Sequence, residues 1–360
     1  MIKIRRKARV VKIGGISIGG HNPIVIQSMA KTRTARIGDT VKEIGRIQEC
    51  GGQIVRLAVK DKPDAQALKE IKRESLIPLV ADIHFDWRLA IMAIDAGIDK
   101  IRLNPGNIYE KNQIREISFA ARINRIPIRV GVNSGSLIKG GGRRLKAGTI
   151  SGLMVESAMD YIRILEGFKF FDLVISLKAS DIFDTIKAYR KIASLCSYPL
   201  HLGVTATGPY SSGLVKSSIA LSALLFEGIG DTIRVSLTAP AQEEVRAAKF
   251  ILSSLKLRSF GAEIISCPTC GRCPVNLSGI VKELEKRVSF ISPRPGSALR
   301  PLKIAVMGCL VNGPGEAREA DLGLAFGRKE ALFFKKGKPI NKVSRDACVD
   351  LLVKEVLKYR

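Results

Sequence analysis

The stretch SCPTCGRCP at residues 266–274 sets Cys267, Cys270 and Cys273 at identical two-residue spacing. A fourth cysteine, Cys309, opens a second loop-like stretch, MGCLVNGPGE, at 307–316. Thiols gathered this way in a reducing compartment hold a metal or form a redox pair. A zinc ribbon pairs two CxxC elements roughly 15–20 residues apart, and no second pair occurs here. CxxCxxC is the run found in ferredoxin-type cluster proteins, whose next ligand would fall at Leu277, so a further ligand must come from elsewhere. Cys309 is placed to supply one, and the pattern favours a [4Fe–4S] cluster over zinc. Cys50, Cys196 and Cys348 stand alone in apolar, helix-like surroundings and read as small buried side chains.

A second set of residues lies inside short β-branched runs. Arg56 sits in IVRLAV, Arg102 in KIRLN, Arg129 in PIRVGVN, Lys178 in LVISLKA and Arg234 in TIRVSL. Side chains alternate along a strand, so polar groups two or four residues on share the cation's face. Asn104, Asn133, Ser180 and Ser236 stand in that phase. Burying an unpaired cation costs on the order of several kcal/mol. A polyanion gripped by fork-shaped guanidiniums would offset that cost in several strands at once. The alternative is that some of the cations point outward or pair with Asp82, Asp86 or Asp181. Asp82 and His84 (in ADIHFD), Gln27, Ser28, Asn107 and His201 also fall at strand ends.

The elements that must position these groups recur with a spacing of about 25 residues, each a strand and then a helix. Candidate strands are 23–29, 54–59, 78–83, 100–104, 127–133, 173–179, 199–205 and 232–237, with helical stretches between them and a last one at 241–254. Count and length suit a (β/α)8 TIM barrel over residues 1–257, with its site at the C-terminal ends of the strands. The Gly- and basic-rich segment 138–150 follows the fifth of these strands and reads as a loop on that face. After residue 257 the pattern changes to a small α+β domain, 258–360. Its parts are a strand at 262–266, a helix at 276–288, a linker at 292–301 and a strand at 302–308. A hairpin over 321–337 and a helix at 344–359 opened by a Ser cap complete it.

The chain has 360 residues and a formal net charge of +26. That excess favours anionic partners, but no basic tail or RNA-binding signature accompanies it, so a nucleic-acid partner is not expected. The longest apolar runs are too short to span a membrane, and the basic N-terminus lacks a secretory h-region. A cytoplasmic protein is expected.

Both halves resemble the 4-hydroxy-3-methylbut-2-enyl diphosphate synthase family. The matching stretches include NPIVIQSM, PLVADIHFD, IRLNPGNI, IPIRVGVNSGSL, SLKASD, PLHLGVT, SCPTCGR and MGCLVNGPGEA, spread from about residue 10 to 327. The resemblance implies a TIM barrel joined to a small cluster domain, in homodimers where the cluster domain of one subunit caps the barrel mouth of the other. It implies reductive ring opening and dehydration of 2-C-methyl-D-erythritol 2,4-cyclodiphosphate, a step of isoprenoid biosynthesis. Reduced flavodoxin or ferredoxin would supply the electrons. Carried over by motif, Arg56, Arg102, Asn104, Arg129, Asn133, Lys178, Arg234 and Ser236 would bind the diphosphate. Cys267, Cys270, Cys309 and Glu316 would ligate the [4Fe–4S] cluster, with Glu316, Asp82 and His84 in catalytic roles. Two positions depart from the family. Its T-E-A-G motif reads Thr205-Ala206-Thr207-Gly208 here, and Cys273 stands where most relatives carry another residue.

Overall fold

The computed structural model describes residues 3–137, 148–288, 301–311 and 313–358. Most of the Gly-rich segment 138–150 and of the 292–301 linker lies outside them. The chain divides between Leu255 and Lys256 into two compact units.

The first unit opens with a hairpin, β1 (Val11–Ile13) and β2 (Ile16–Ile18). Gly14 takes a left-handed φ of 54° at its turn, a conformation glycine adopts at little cost. Eight parallel strands follow: β3 (Val25–Met29), β4 (Ile54–Val59), β5 (Leu79–Ile83), β6 (Lys100–Leu103), β7 (Ile128–Asn133), β8 (Leu173–Lys178), β9 (His201–Leu202) and β10 (Thr232–Ile233). Each is followed by a helix: α1 (Ile37–Glu49), α2 (Lys62–Glu74), α3 (Arg88–Asp95), α4 (Lys111–Ile123), α5 (Ile150–Gly167), α6 (Ile182–Leu195), α7 (Tyr210–Phe226) and α8 (Ala241–Ser254). The sheet runs β8-β7-β6-β5-β4-β3-β10-β9, and a bridge from Ile175 to Leu200 joins its two edges. This is the expected (β/α)8 barrel. Asp61 and Asp181 cap α2 and α6 by accepting from the backbone N–H of Asp64 and Asp184, so those helices start just beyond the strand ends.

The hairpin was not expected. Its apolar residues Val11, Ile13 and Ile18 pack on Val25, Ile54, Val80 and Val174 from the barrel strands. Regular pairing in β9 and β10 is also shorter than the expected strands, ending at Leu202 and Ile233. The next residue of β9's run, Gly203, lies against Lys178 Nζ and the Arg234 carbonyl.

The second unit is a five-stranded sheet in the order β11 (Ala262–Ser266), β12 (Leu302–Met307), β13 (Leu322–Phe326), β14 (Glu330–Lys335) and β15 (Lys338–Ser344). The first three strands run parallel and the last two antiparallel. Helices α9 (Leu277–Val288) and α11 (Cys348–Leu357) bury Leu284, Leu352 and Val356 with Ile304, Leu322 and Leu324 from the sheet. A one-turn helix, α10 (Gly313–Glu316), follows β12. Ser344 does not open the last helix as expected. It ends β15, and its hydroxyl accepts from the Ala347 N–H (3.3 Å) a turn before α11.

Candidate functional site

Parallel neighbours in register point to the same face of a sheet. The register aligns Met29, Arg56, Val80 and Lys100 across β3 to β6. One step further along it aligns Ala58, Asp82, Arg102, Arg129 and Val174, and beyond that Asn133 pairs with Lys178. The cations therefore form inward-facing layers, as their phase in the sequence predicts. Arg56, Arg102, Arg129 and Lys178 are all buried, with Arg129 1% exposed.

Only part of this charge is compensated. Asp82 Oδ1 lies 3.1 Å from Arg102 Nη1, and its Oδ2 lies 3.6 Å from Arg56 Nε. Arg102 also donates to the Gly131 carbonyl (2.7 Å), and Arg56 Nη2 approaches the Met29 thioether at 2.8 Å. Arg234 finds Glu244 at 3.5 Å. The Arg129 Nε and Nη1 atoms and the Nε atoms of Arg102 and Arg234 have no hydrogen-bond partner among the described residues. A buried donor without an acceptor is costly, and an anion with several oxygens would satisfy several of these donors together.

Two glycines make room for the cations. A Cβ on Gly131 would meet Arg102 Nε at 2.5 Å, and one on Gly203 would meet Lys178 Nζ at 2.7 Å. Lys178 Nζ lies 3.3 Å from His201 Nε2, and His201 Nδ1 lies 2.8 Å from Thr232 Oγ1.

Electrostatics follow from burial. Desolvation pushes the Arg56 guanidinium down to about 9; Asp82 opposes the shift, and Arg234 and Arg102 add to it. Burial alone would raise the Asp82 carboxyl, but Arg102, Arg56 and Arg129 hold it well below the usual carboxylate range. Lys178 and Arg129 are driven down by burial and then by neighbouring guanidiniums. Perturbed groups of this kind cluster at functional sites.

The other expected residues take lesser places. Asn104 is buried, and its Oδ1 accepts from the Gly106 N–H (3.2 Å) and the Ser136 hydroxyl (3.3 Å), which shapes the NPGN turn. Asn133 and Ser236 are half-buried at the strand ends. His84 is half-buried and near enough to Asp82 to lower its carboxyl slightly. Ser180 is exposed just past β8. Asp86 and Asp181 serve Arg88 and the α6 cap, not the barrel cations.

In the second unit, β11 and β12 run side by side with Ser266 opposite Val306, so Cys267 and Cys309 leave the same end of adjacent strands. The Gly308 N–H donates to Cys267 Sγ (3.2 Å). A Cβ on Gly308 would lie 2.7 Å from Cys273 Sγ and 3.3 Å from Cys267 Sγ. Arg272 hydrogen-bonds Cys270 and feels the charge of Cys309, and its backbone and side chain together hold the Cys270 thiol below its ordinary value. Gly313 lets α10 close on Met307 and Ala325, and Glu316, its last residue, is exposed. Among the described residues no three of these ligand types converge closely enough to hold a metal ion. The donor set still fits an iron–sulfur cluster. Soft thiols leave the same end of two adjacent strands, with the exposed Glu316 carboxylate at the end of α10 beyond.

Residues 8–249 match the GcpE TIM-barrel domain, and residues 263–358 match the GcpE protein C-terminal domain. The chain belongs to the GcpE family. It is 50% identical over 353 residues to the 4-hydroxy-3-methylbut-2-en-1-yl diphosphate synthase (flavodoxin) of Fusobacterium nucleatum subsp. nucleatum, covering 98% of each chain. It is 49% identical over 358 residues to the protein of the same name from Caldanaerobacter subterraneus subsp. tengcongensis, covering 99% of each. Among solved structures, Yersinia pestis dihydropteroate synthase is similar with a TM-score of 0.49 at 10% identity, over 68% of this chain and 98% of that one. That likeness is too weak to carry an argument.

Lys100 and Glu244 are among the buried charges of this GcpE barrel that escaped the reading of strand phase. Lys100, with no exposed surface, donates to Gln27 Oε1 (3.2 Å). It stands two residues before Arg102 and shares its phase, which was the available signal. Glu244, in the first turn of α8, accepts from the Leu237 N–H (3.0 Å) and pairs with Lys31 (3.1 Å). Nothing in the sequence separates it from its neighbour Glu243, which pairs with Arg246 on the helix surface.

Proposed function

We propose that this chain reductively opens 2-C-methyl-D-erythritol 2,4-cyclodiphosphate and dehydrates it to 4-hydroxy-3-methylbut-2-enyl diphosphate. The activity is the one named in its end-to-end relatives at about half identity. The observation that carries the reading onto this chain's own atoms is the buried cation layer with orphaned guanidinium donors, complementary to a cyclic diphosphate.

Arg56, Arg102, Arg129, Lys178 and Arg234 bind and neutralise the two phosphates, with Asn104, Asn133 and Ser236 at the rim. Asp82 holds Arg102 and Arg56 in position and, with His84, faces the substrate's hydroxyl end. Burial of the cations keeps bulk water from competing for the anion. Cys267, Cys270, Cys309 and Glu316 would hold a [4Fe–4S] cluster. When bound, it would relay the donor's two electrons one at a time and offer Lewis acidity. Glu316 suits the exchangeable position because a carboxylate binds iron less firmly than a thiolate does.

The donor is reduced flavodoxin or ferredoxin, steered by the chain's positive charge; the names of its relatives specify flavodoxin. The protein works in the cytoplasm as a homodimer. No helix among the described residues is long and apolar enough to cross a membrane.

Anaerobic protein, reconstituted with iron and sulfide and supplied with reduced flavodoxin, is expected to consume the cyclodiphosphate and release the linear diphosphate with water. An iron-loaded, reduced sample that leaves the cyclodiphosphate untouched would refute the reading.

A further inference from the structure

We propose that His201 is a positioning residue for Lys178, and that the pair takes up a proton from solvent when the diphosphate enters the barrel. The inference rests on the function proposed above, because it needs a dianion at the mouth.

The geometry confines both groups. His201 has no exposed surface. Its Nδ1 is 2.8 Å from Thr232 Oγ1, on β10, and its Nε2 is 3.3 Å from Lys178 Nζ, on β8. Its backbone carbonyl accepts from the Tyr189 hydroxyl, which in turn accepts from the N–H of Leu177 (3.1 Å), the residue before Lys178. Tyr189 of α6 thus ties the backbones of β8 and β9 together at the level of the pair. Gly203 also lies against the amine, where a Cβ would come within 2.7 Å of Lys178 Nζ.

The charges around the amine are one-sided. Arg129 faces it from β7, Arg56 from β4, Arg102 from β6 and Arg234 from beyond β10; Lys100, on β6, faces His201. Guanidiniums do not give up their protons. The nearby carboxylates are engaged elsewhere, Asp82 by Arg102 and Arg56, and Glu244 by Lys31 and Arg234. Among these groups the two amines can relieve the excess by releasing a proton, and of the two Lys178 is the one with an imidazole within hydrogen-bond reach, whereas Lys100 donates to Gln27 Oε1. One nitrogen of the pair then donates to the other and the second is left basic. Burial, with the surrounding cations, drives both groups toward their neutral forms. A dianion among the same cations reverses the balance, and the ammonium returns. His201 keeps the amine in place meanwhile, so recharging needs no rearrangement.

The test is titration calorimetry of the cyclodiphosphate into the anaerobic, non-turning-over protein near neutral pH, in buffers of differing ionisation heat. Wild type is expected to take up about one proton per molecule bound. Lys178→Arg, which carries a permanent charge, is expected to bind with that uptake lost. His201→Gln, whose amide can hold the amine, is expected to stay within about threefold of wild-type affinity. His201→Leu is expected to lose about tenfold with an unchanged circular dichroism spectrum. Wild-type binding without proton uptake, or uptake that survives in Lys178→Arg, overturns the proposal and leaves the assigned reaction standing. Failure of the wild type to bind at all overturns the assigned reaction and this inference with it.

Discussion

Asp82 restrains two guanidiniums from neighbouring strands at once, with Arg102 at 3.1 Å and Arg56 at 3.6 Å. One carboxylate on the central strand of this set fixes the spacing of two of the cations proposed to bind the diphosphate. Removing it leaves buried positive charge uncompensated, so Asp82→Asn is expected to destabilise the barrel by about 3–5 kcal/mol, read from the urea midpoint. The carboxyl is held below its usual range in the folded protein, so its contribution is present above about pH 4 and lost as the pH falls through its folded value. The stability of the wild type should therefore fall more steeply on acidification than that of the variant. Equal slopes would show that Asp82 is not the linked group.

Gly131 gives Arg102 its space, since a Cβ there would sit 2.5 Å from Nε. The neighbour that must yield is a side chain, not backbone, so Gly131→Ala is expected to fold. Its cost should appear both in recognition, as about a tenfold loss in affinity for the cyclodiphosphate, and in a lowered thermal midpoint, because Arg102 is held by Asp82 and the Gly131 carbonyl. An unchanged affinity would mean that Arg102 reaches the anion from a different rotamer.

The barrel and its cations were legible because two periodicities coincide. The strand–helix repeat marks the strands, and the two-residue phase within KIRLN and PIRVGVN puts Arg102 and Arg129 on the inward face. Glu244 was hidden because only tertiary contact tells it from Glu243. Strand β15 was hidden because KPINKVS is polar and carries a proline, as befits an exposed edge strand with a register shift. The β1–β2 hairpin was hidden because three-residue strands are too short to show alternation. At the cysteines, spacing marked the cluster-type run, but it did not show that Cys273 and Cys267 face the same glycine.

That neighbourhood makes Cys273 the natural doubt about the ligand set. Its Sγ donates to the Val275 carbonyl (3.3 Å), whereas Cys267, packed on the same core, accepts from the Gly308 N–H and Cys270 is exposed beside Arg272. Cys273→Ala is therefore expected to keep the cluster's visible absorbance and its iron and sulfide content after anaerobic reconstitution. Cys267→Ala is expected to lose both, and the turnover with them. A colourless Cys273→Ala protein would move the ligand set to the three cysteines of SCPTCGRCP.

By the family resemblance of its sequence, Ala206 stands where a T-E-A-G motif would carry a glutamate, and it adopts a left-handed φ of 51°. Alanine gains no hydrogen bond from that conformation and bears its strain as any other L-residue with a Cβ does, so Ala206→Glu adds no new backbone cost. The motif's neighbours are already tied down, with the Thr207 hydroxyl donating to the Ser236 carbonyl and Gly208 at a φ of 98°. A glutamate restored on this frame would add a proton-transfer group beside the substrate hydroxyls. Turnover of the cyclodiphosphate is expected to rise about tenfold or more, with KM nearly unchanged because the cations proposed to bind phosphate are untouched. A variant no faster than wild type would mean that Asp82 or another acid of this barrel already carries the proton.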